Sequence, residues 1–251
     1  RKLSQLAKRK TKGGARMTIT NRKSFLMNIA KHLGRPMKTK VERPVWKHLP
    51  QFQILNHATQ EELIDVLKQQ CHNIHTVCLQ TTTANLASTL QQVVEDYGGI
   101  SVIIPKDDRL KYFGLTEVFK SWQSKGIEIY EWHPQNREQN IQLAEKASIA
   151  ILISEMTLAE SASVVLYSHP NRGRSLNLLP EKTIVLIPKS TIVPRITQAA
   201  QIFHKQVEQG EQIPSCILFM SGPSNSADIE MVLIVGVHGP IKATYIIIED
   251  Q

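Results

Sequence analysis

The feature that most constrains the fold is a repeated alternation of short apolar runs with segments of helical periodicity. The runs Ser101–Ile104, Ile127–Trp132 and Ser148–Ile153 are rich in β-branched residues, which is typical of buried strands. Thr116–Ser124 and Arg137–Lys146 lie between them and have helical spacing. Because β-α-β units of this length need right-handed crossovers, the pattern predicts an α/β fold with a mostly parallel central sheet and flanking helices.

The other predicted elements extend this pattern towards both ends. Further strands are expected at Val77–Gln80, Ser163–Ser168, Thr183–Pro188, Ile217–Ser221, Met231–Val237 and Ala243–Ile248. Further helices are expected at Arg22–Leu33 with Asn21 as cap, at 59–74 behind a Thr59-to-Glu62 capping box, at Ala84–Tyr97 and at Arg195–Gln209. Strands crowd the second half, so part of the sheet is expected to be antiparallel or to form a small subsheet.

The chain divides into three parts by composition. Residues 1–16 hold seven of the thirty Lys and Arg residues and no acidic residue, and the rest of the chain carries 23 basic and 22 acidic residues. We therefore interpret 1–16 as a vector-derived or non-native basic leader, with a nucleic-acid- or lipid-binding arm as the alternative. Residues 17–58 are expected to form an N-terminal helix and an extended arm, and residues 59–251 the α/β domain.

Composition also bears on compartment and partners. The near-neutral body predicts no nucleic-acid partner, and no stretch reaches the ~18 apolar residues of a membrane span. The N-terminus lacks the apolar region of a signal peptide. Three cysteines do not make a disulfide framework. We therefore expect a cytoplasmic protein with reduced thiols, while the oligomeric state stays open.

The segment from Cys71 to Cys78 (CHNIHTVC) is a candidate metal site. On a continuous helix Cys71, His75 and Cys78 would share one face. Structural zinc sites usually pair close ligands across a turn and need a fourth ligand. Buried thiols beside a helix-end histidine are the favoured interpretation, so no metal ligand is assigned and no cofactor is expected in this chain.

Two segments in the middle of the chain carry candidate site residues. Glu160 stands beside Ser161 and Ser163 before a predicted strand, where a carboxylate could act as acid, base, nucleophile or ligand clamp. A surface turn is the alternative interpretation. In the loop after Ser168, Arg174 is a candidate for binding an anion, with a solvated loop as the alternative.

Ser221–Pro240 (SGPSNSADIEMVLIVGVHGP) concentrates polar groups at both ends of an apolar run that is expected to be a buried strand. Loops of this composition can direct free backbone N–H groups at an anion. The candidates for catalysis here are Asp228 and His238. The candidates for ligand binding are Ser221, Gly222, Ser224, Glu230 and Gly239. Helix capping and a hydrogen-bonded structural histidine are the alternatives.

Four segments carry a resemblance to a known family. They are MTLAESASVVLYS (156–168), GRSLNLLP (173–180), PKSTIVPR (188–195) and the segment 221–240. On these residues, and on a likeness that begins at Asn21, the chain resembles the lactate utilization protein C family (LutC/YkgG family, LUD domain). Walker A, G-x-G-x-x-G, G-x-S-x-G and H-E-x-x-H motifs are absent from the sequence.

The resemblance implies a fold like that of the NagB/RpiA/CoA-transferase group. It also implies a role in oxidising L-lactate to pyruvate together with partner proteins that carry iron–sulfur clusters. Two interpretations follow: an accessory or ligand-binding subunit, with an anionic small molecule as ligand, or a stand-alone enzyme that uses Glu160. Ala162 and Asn225 depart from the family pattern, which has Gly and Arg there, so an anion-holding turn is less strongly indicated.

Overall fold

The structure is a computed structural model that describes residues 20–38, 40, 42, 44–226, 234–236 and 238–251. Within the described residues, the strands are β1 Val77–Thr81, β2 Ser101–Ile104, β3 Glu128–Glu131, β4 Ile149–Ile153, β5 Met156–Leu158, β6 Ser163–Tyr167, β7 Lys182–Pro188, β8 Ile192–Val193, β9 Ile217–Met220, β10 Asn225–Ser226, β11 Ile234–Val235 and β12 Lys242–Ile248. The helices are α1 Arg22–His32, α2 Gln60–Asn73, α3 Thr83–Asp96, α4 Asp108–Tyr112, α5 Thr116–Ser124, α6 Arg137–Lys146, α7 Arg174–Leu178 and α8 Ile196–Glu208. The chain separates into two compact units at His48 and Leu49.

In the first unit, α1 begins and ends close to the predicted positions. Gly34 has φ +60°, the left-handed conformation that commonly ends a helix. Asn21 also has a left-handed backbone, with φ 60°, and its side chain makes no capping hydrogen bond. The predicted cap by the Asn21 side chain is therefore wrong; instead its carbonyl oxygen accepts a hydrogen bond from the Ser24 hydroxyl at 2.9 Å.

A six-stranded sheet in the order β1-β12-β7-β4-β2-β3 forms the centre of the second unit, and every neighbouring pair is parallel. This confirms the predicted fold class. All five residues of β4 are buried, as expected for a strand covered on both faces. The period of two along a strand sends Ile149, Ile151 and Ile153 to one face and Ala150 and Leu152 to the other.

The two faces of the central sheet have different covers. On one face α3 and α5 contribute Leu86, Leu90, Phe119 and Trp122 to the core. On the other face the core is closed by α2 and by a second sheet in the order β8-β5-β6-β9. In this sheet β6 pairs antiparallel with β5 and β9, while β8 pairs parallel with β5. Of the two alternatives expected for the second half, the small subsheet is confirmed, and two of its three strand pairings are antiparallel.

The segment expected to be a buried strand at 231–237 is only partly described. Its described residues Ile234 and Val235 form the short strand β11, paired antiparallel with β10. Val235 is 40 % exposed, so the buried-strand expectation is wrong for this part. Residues 231–233 and 237 lie outside the described residues.

Local signals account for the beginnings of two helices. At α2 the backbone N–H of Thr59 donates to Glu62 Oε2 at 2.7 Å, and the Glu62 N–H donates to Thr59 Oγ1 at 3.3 Å. This is the predicted capping box. The short helix α4 was not predicted from the sequence; Asp107 caps it by accepting a hydrogen bond from the Arg109 N–H at 3.0 Å. In the part of the chain that the structure describes, no helix has the length and apolar character needed to cross a membrane.

Candidate functional site

The turn between β5 and β6 carries the predicted group around Glu160. Ala162 is fully buried and has φ +48°, a conformation that costs an L-residue roughly 1–2 kcal/mol relative to ordinary backbone. The tight turn is therefore formed even though Ala stands where the family pattern has Gly. Strained backbone of this kind is concentrated at functional sites in proteins.

A chain of three hydroxyl groups begins at this turn. Ser161 Oγ lies 2.8 Å from Ser163 Oγ, which in turn lies 2.6 Å from Ser221 Oγ. The antiparallel pairing of β6 with β9 places Val164 opposite Met220, so the residues beside them, Ser163 and Ser221, meet at the same end of the small sheet. Since each hydroxyl both donates and accepts, the row can donate to an anion or relay a proton.

Glu160 forms an ion pair with Arg195. Its Oε2 lies 2.8 Å from Arg195 Nε, and the Glu160 side chain is 39 % exposed. The Nε–H is not directed at this oxygen, so the contact is ionic without a well-formed hydrogen bond. Acid-base or nucleophilic chemistry by this oxygen requires the ion pair to open, whereas a role in holding Arg195 does not.

Gly222 fixes the first bend of the predicted 221–240 site. It has φ +68°, and a Cβ atom there would lie 2.6 Å from Thr76 Oγ1 and 2.8 Å from the Ile74 carbonyl oxygen. Its N–H donates to the Tyr245 hydroxyl at 2.9 Å. Burial raises the pKa of the Tyr245 phenol, so this hydroxyl stays protonated. It is a hydrogen-bond partner that fixes the position of the Gly222 backbone.

Ser224, His238 and Gly239 are brought together further along the segment. The Ser224 N–H donates to the Pro240 carbonyl at 2.8 Å, and the Gly236 N–H donates to the Ser224 carbonyl at 2.8 Å. The His238 N–H donates to Ser224 Oγ at 3.4 Å, and its side chain is exposed. A Cβ atom at Gly239 would lie 3.2 Å from Ser224 Cβ. Ser224 therefore closes this loop through its own backbone and hydroxyl.

The structure brings eight of the predicted site residues together in two groups, and the others lie elsewhere or outside the described residues. Glu160, Ser161, Ser163, Ser221 and Gly222 lie along one continuous path, and Ser224, His238 and Gly239 form the second group. Asp228 and Glu230 lie outside the described residues. Arg174 is exposed at the first position of α7.

The Cys71–Cys78 segment does not have the continuous helix that its metal interpretation assumed. Helix α2 ends at Asn73, His75 has φ 54°, and Cys78 belongs to β1. The three side chains therefore do not share one helix face. Within the described ranges, no group of three or more His, Cys, Asp or Glu side chains is placed to hold a metal ion.

Sequence reasoning missed a four-residue ion cluster, which we call the carboxyl-end cluster. It consists of Asp107, Arg109, Glu155 and Arg172. Arg109 Nη2 donates to Asp107 Oδ2 and to Glu155 Oε1, both at 2.6 Å. Arg172 Nη1 donates to Asp107 Oδ2 at 3.2 Å and also contacts Glu155. Burial opposes ionisation of Asp107, but the hydrogen bonds from Arg109 outweigh it and the pKa of Asp107 is lowered.

The carboxyl-end cluster lies where a ligand site is expected on topological grounds. Asp107 follows β2 and Glu155 follows β4, which are neighbouring parallel strands. The chain passes from β2 to β3 on one side of this pair, and from β4 to β7 on the other. Ligands in open α/β sheets bind at the carboxyl ends of strands where the connections diverge in this way.

A cleft of about 390 Å³ opens beside the carboxyl-end cluster. Its apolar floor includes Ile104, Phe119 and Ile129, and its polar rim includes Lys106 and Lys111. The signal for this region was present in the sequence: charged residues follow immediately after two runs predicted to be strands. The strand order could not be predicted from the sequence, and it is this order that makes β2 and β4 neighbours and so brings the charged residues together.

Comparison with known proteins identifies the family. Residues 64–248 match the model of the LUD domain. The chain belongs to the LUD-domain family. Curated relatives named "Lactate utilization protein C" are 49 % identical in Macrococcus caseolyticus (94 % of this chain, 99 % of the relative) and 47 % identical in Bacillus subtilis and in Geobacillus sp. strain WCH70 (93 % of this chain, 98 % of each relative). The resemblance inferred from the four motifs is confirmed.

A solved structure supports the fold of this LUD-domain protein. A DUF162 family protein from Deinococcus radiodurans superimposes with a TM-score of 0.53 at 15 % sequence identity, covering 76 % of this chain and 99 % of that chain. At this identity the likeness concerns the fold alone. It places the central sheet and its covers in an architecture that an experimental structure also contains.

Proposed function

We propose that this chain is a component of L-lactate utilization, the oxidation of L-lactate to pyruvate, and acts with iron–sulfur partner proteins as an accessory or ligand-binding subunit. The observation that carries the proposal is the identity of 47 to 49 % with proteins named for lactate utilization, over almost the full length of both chains. The match to the LUD domain, residues 64–248, spans the strained turn at Ala162 and the 221–240 segment.

Two regions of the fold support the ligand-binding part of the proposal. The row Ser161, Ser163 and Ser221 offers hydroxyl donors to a small carboxylate. The cleft beside the carboxyl-end cluster has an apolar floor, and its charged lining consists of Lys106, Lys111, Lys120, Asp107, Asp108 and Glu131. Its lysines could hold the carboxylate of a ligand with a short carbon chain. Binding of L-lactate or pyruvate, measured by calorimetry on the Ser163→Ala and Lys106→Gln variants, distinguishes the two places by which variant loses affinity.

Deletion of the gene tests the proposal as a whole. We expect a deletion strain to lose growth on L-lactate while its growth on glucose is unchanged, and a tagged copy of this protein to restore growth and to co-purify with iron–sulfur proteins. Normal growth of the deletion strain on L-lactate as sole carbon source would contradict the pathway assignment. Full growth restored by a copy that retains no iron–sulfur partner would contradict the subunit role.

A stand-alone enzyme that uses Glu160 is the second candidate function. The observation that favours it is the strained turn, which holds a partly exposed carboxylate next to a row of hydroxyl groups. Asp228 and His238 would orient the substrate in this interpretation. We expect Glu160→Gln to abolish complementation on L-lactate if it holds, and Glu117→Gln, at an exposed ion pair on α5, to leave complementation intact. Complementation by both variants would exclude catalysis by Glu160.

A further inference from the structure

Cys71, on the last turns of α2, is a buried member of the core, and Cys78, on β1, packs against the same core cluster. The Thr76 N–H donates to the Cys71 carbonyl at 2.9 Å, which brings the start of β1 against the last turn of α2. Within β1, Cys78 and Gln80 are two positions apart and so project to the same face of the strand. One helical turn earlier, Lys68 hydrogen-bonds Gln80, which follows Cys78 by two positions. Helix α2 and strand β1 therefore lie side by side, with position 68 near position 80 and position 71 near position 78.

The two thiols differ in access and in acidity. Cys71 is fully buried, whereas Cys78 is half-buried on β1, which is an edge strand of the central sheet. A hydrogen bond from Cys71 lowers the pKa of Cys78, and Lys68 lowers it further. The same interaction and burial raise the pKa of Cys71. Since the thiolate is the reactive form, Cys78 is the nucleophile of the pair. Cys71 is the resolving thiol, which reacts second.

We propose that Cys71 and Cys78 form an oxidation site at which a peroxide converts the dithiol into an intramolecular disulfide. The Cys78 thiolate attacks one peroxide oxygen, which breaks the O–O bond and gives a sulfenic acid and hydroxide when the oxidant is hydrogen peroxide. The Cys71 sulfur then attacks the sulfenic sulfur; the S–O bond breaks, the S–S bond forms, and water leaves with the thiol proton. The two sulfurs together lose two electrons, and the peroxide gains them.

The disulfide would form next to a contact of the candidate site. Tyr245 belongs to the same core cluster as the two thiols, and its hydroxyl accepts from the Gly222 N–H at 2.9 Å and donates to the Met220 carbonyl at 3.3 Å. A disulfide shortens the sulfur-to-sulfur separation to ~2.05 Å, which moves the packing under Tyr245. The oxidation state of the pair is thereby linked to the position of Gly222. This inference does not depend on the proposed function.

Mass spectrometry of the purified full-length chain tests the oxidation site. After hydrogen peroxide we expect the intact mass to fall by about two units, from loss of two hydrogens, and reactive thiols to fall from three to one, the survivor being Cys216. Peptide mapping should show the segments of Cys71 and Cys78 cross-linked. Thiols that stay unlinked while Cys216 is oxidised to dimers or sulfonic acid would overturn the proposal, and this readout on the wild-type chain needs no variant.

Single substitutions test the two roles. With Cys71→Ser we expect no loss of two mass units and a Cys78 sulfenic acid that dimedone traps. With Cys78→Ser we expect the rate of peroxide-dependent thiol loss to fall about tenfold or more, because Cys71 is buried and less acidic. Cys216→Ser is the matched control and should form the disulfide at the wild-type rate. Dimedone trapping at Cys71 rather than Cys78 would reverse the assignment and contradict it.

Discussion

Two regions of the domain hold their polar residues by different forces. At the carboxyl ends of β2 and β4, four charged side chains satisfy one another in the carboxyl-end cluster. Along the path from Ala162 through Ser221 to Gly222, position depends on backbone conformation, close approach and neutral hydrogen bonds. We therefore expect the stability of the first region to depend on pH and charge. The stability of the second region should depend on the addition or removal of single methyl groups.

The largest effect is expected at Gly222. In Gly222→Ala the new Cβ would lie 2.6 Å from Thr76 Oγ1 and 2.8 Å from the Ile74 carbonyl, at φ +68°. We expect the free energy of unfolding, measured with urea, to fall by about 3 kcal/mol, from backbone strain together with overpacking. Gly98→Ala is the matched control, because Gly98 has φ +62° and open space around it. Equal losses in the two variants would show that close approach contributes nothing.

An intermediate, pH-dependent effect is expected at Asp107. Removing its charge leaves Arg109 and Arg172 partly unpaired, so Asp107→Asn should lower the free energy of unfolding by about 2 kcal/mol at pH 7. The folded-state pKa of Asp107 is below its ordinary value, so its stabilisation is present above the unfolded-state pKa of about 3.9 and is lost as the pH falls through the folded-state pKa.

The pH series supplies the test of that sign. The difference in unfolding free energy between the wild type and Asp107→Asn should shrink as the pH is lowered below about 4. Glu117→Gln, at an exposed ion pair with Lys120, serves as control and should change stability by only about 0.5 kcal/mol or less. A difference that is constant from pH 7 to pH 3 would contradict the charge argument.

A smaller effect of opposite sign is expected at Ala162. Because φ is +48°, Ala162→Gly relieves strain and should raise the free energy of unfolding by about 1 kcal/mol. Ala144, buried within α6, has ordinary helical geometry, so Ala144→Gly should lower stability by about 1 kcal/mol. Destabilisation by both substitutions would show that packing, and not backbone strain, dominates at Ala162.

The smallest effect is expected within the hydroxyl row. A double-mutant cycle of Ser163→Ala and Ser221→Ala isolates the hydrogen bond between their Oγ atoms, which are 2.6 Å apart. We expect a coupling of about 0.5 to 1 kcal/mol in the free energy of unfolding. Additive effects would show that solvent replaces this bond without cost.

The local part of the structure was largely predictable from the residues. The capping box at Thr59 and Glu62, the buried run of β4 and the helices α5 and α6 follow from short-range sequence signals, and each lies where it was expected. The prediction was wrong where one local pattern fits two environments. Ile234 and Val235 are apolar and β-branched, as in a buried strand, yet they lie in a two-residue strand with Val235 exposed.

The site was predictable in its residue types and only partly in its arrangement. Ser161, Ser163 and Ser221 could be named from composition, but their contact depends on β6 pairing with β9 across more than fifty residues of sequence. In the loop after Ser168, the sequence offered Arg174 as a candidate for binding an anion. The residue of this loop that makes ion pairs is Arg172, which is half-buried and contacts Asp107 and Glu155, whereas Arg174 is exposed.

The sequence by itself determined the elements, the α/β class and, through four motifs, the family, because these depend on periodicity, capping and residue identity along the chain. Only the tertiary structure decided which strands are neighbours. That order brings Asp107 to Glu155 at the carboxyl ends of β2 and β4. The packing of the segment after β9 against the loop before β1 brings Gly222 to Thr76. Ala162 shows both contributions. Its identity in the sequence suggested a weakened turn, whereas the packing in the tertiary structure holds its backbone at φ +48°. The physical reason is that long-range pairing and burial outweigh a local conformational cost of about 1 kcal/mol.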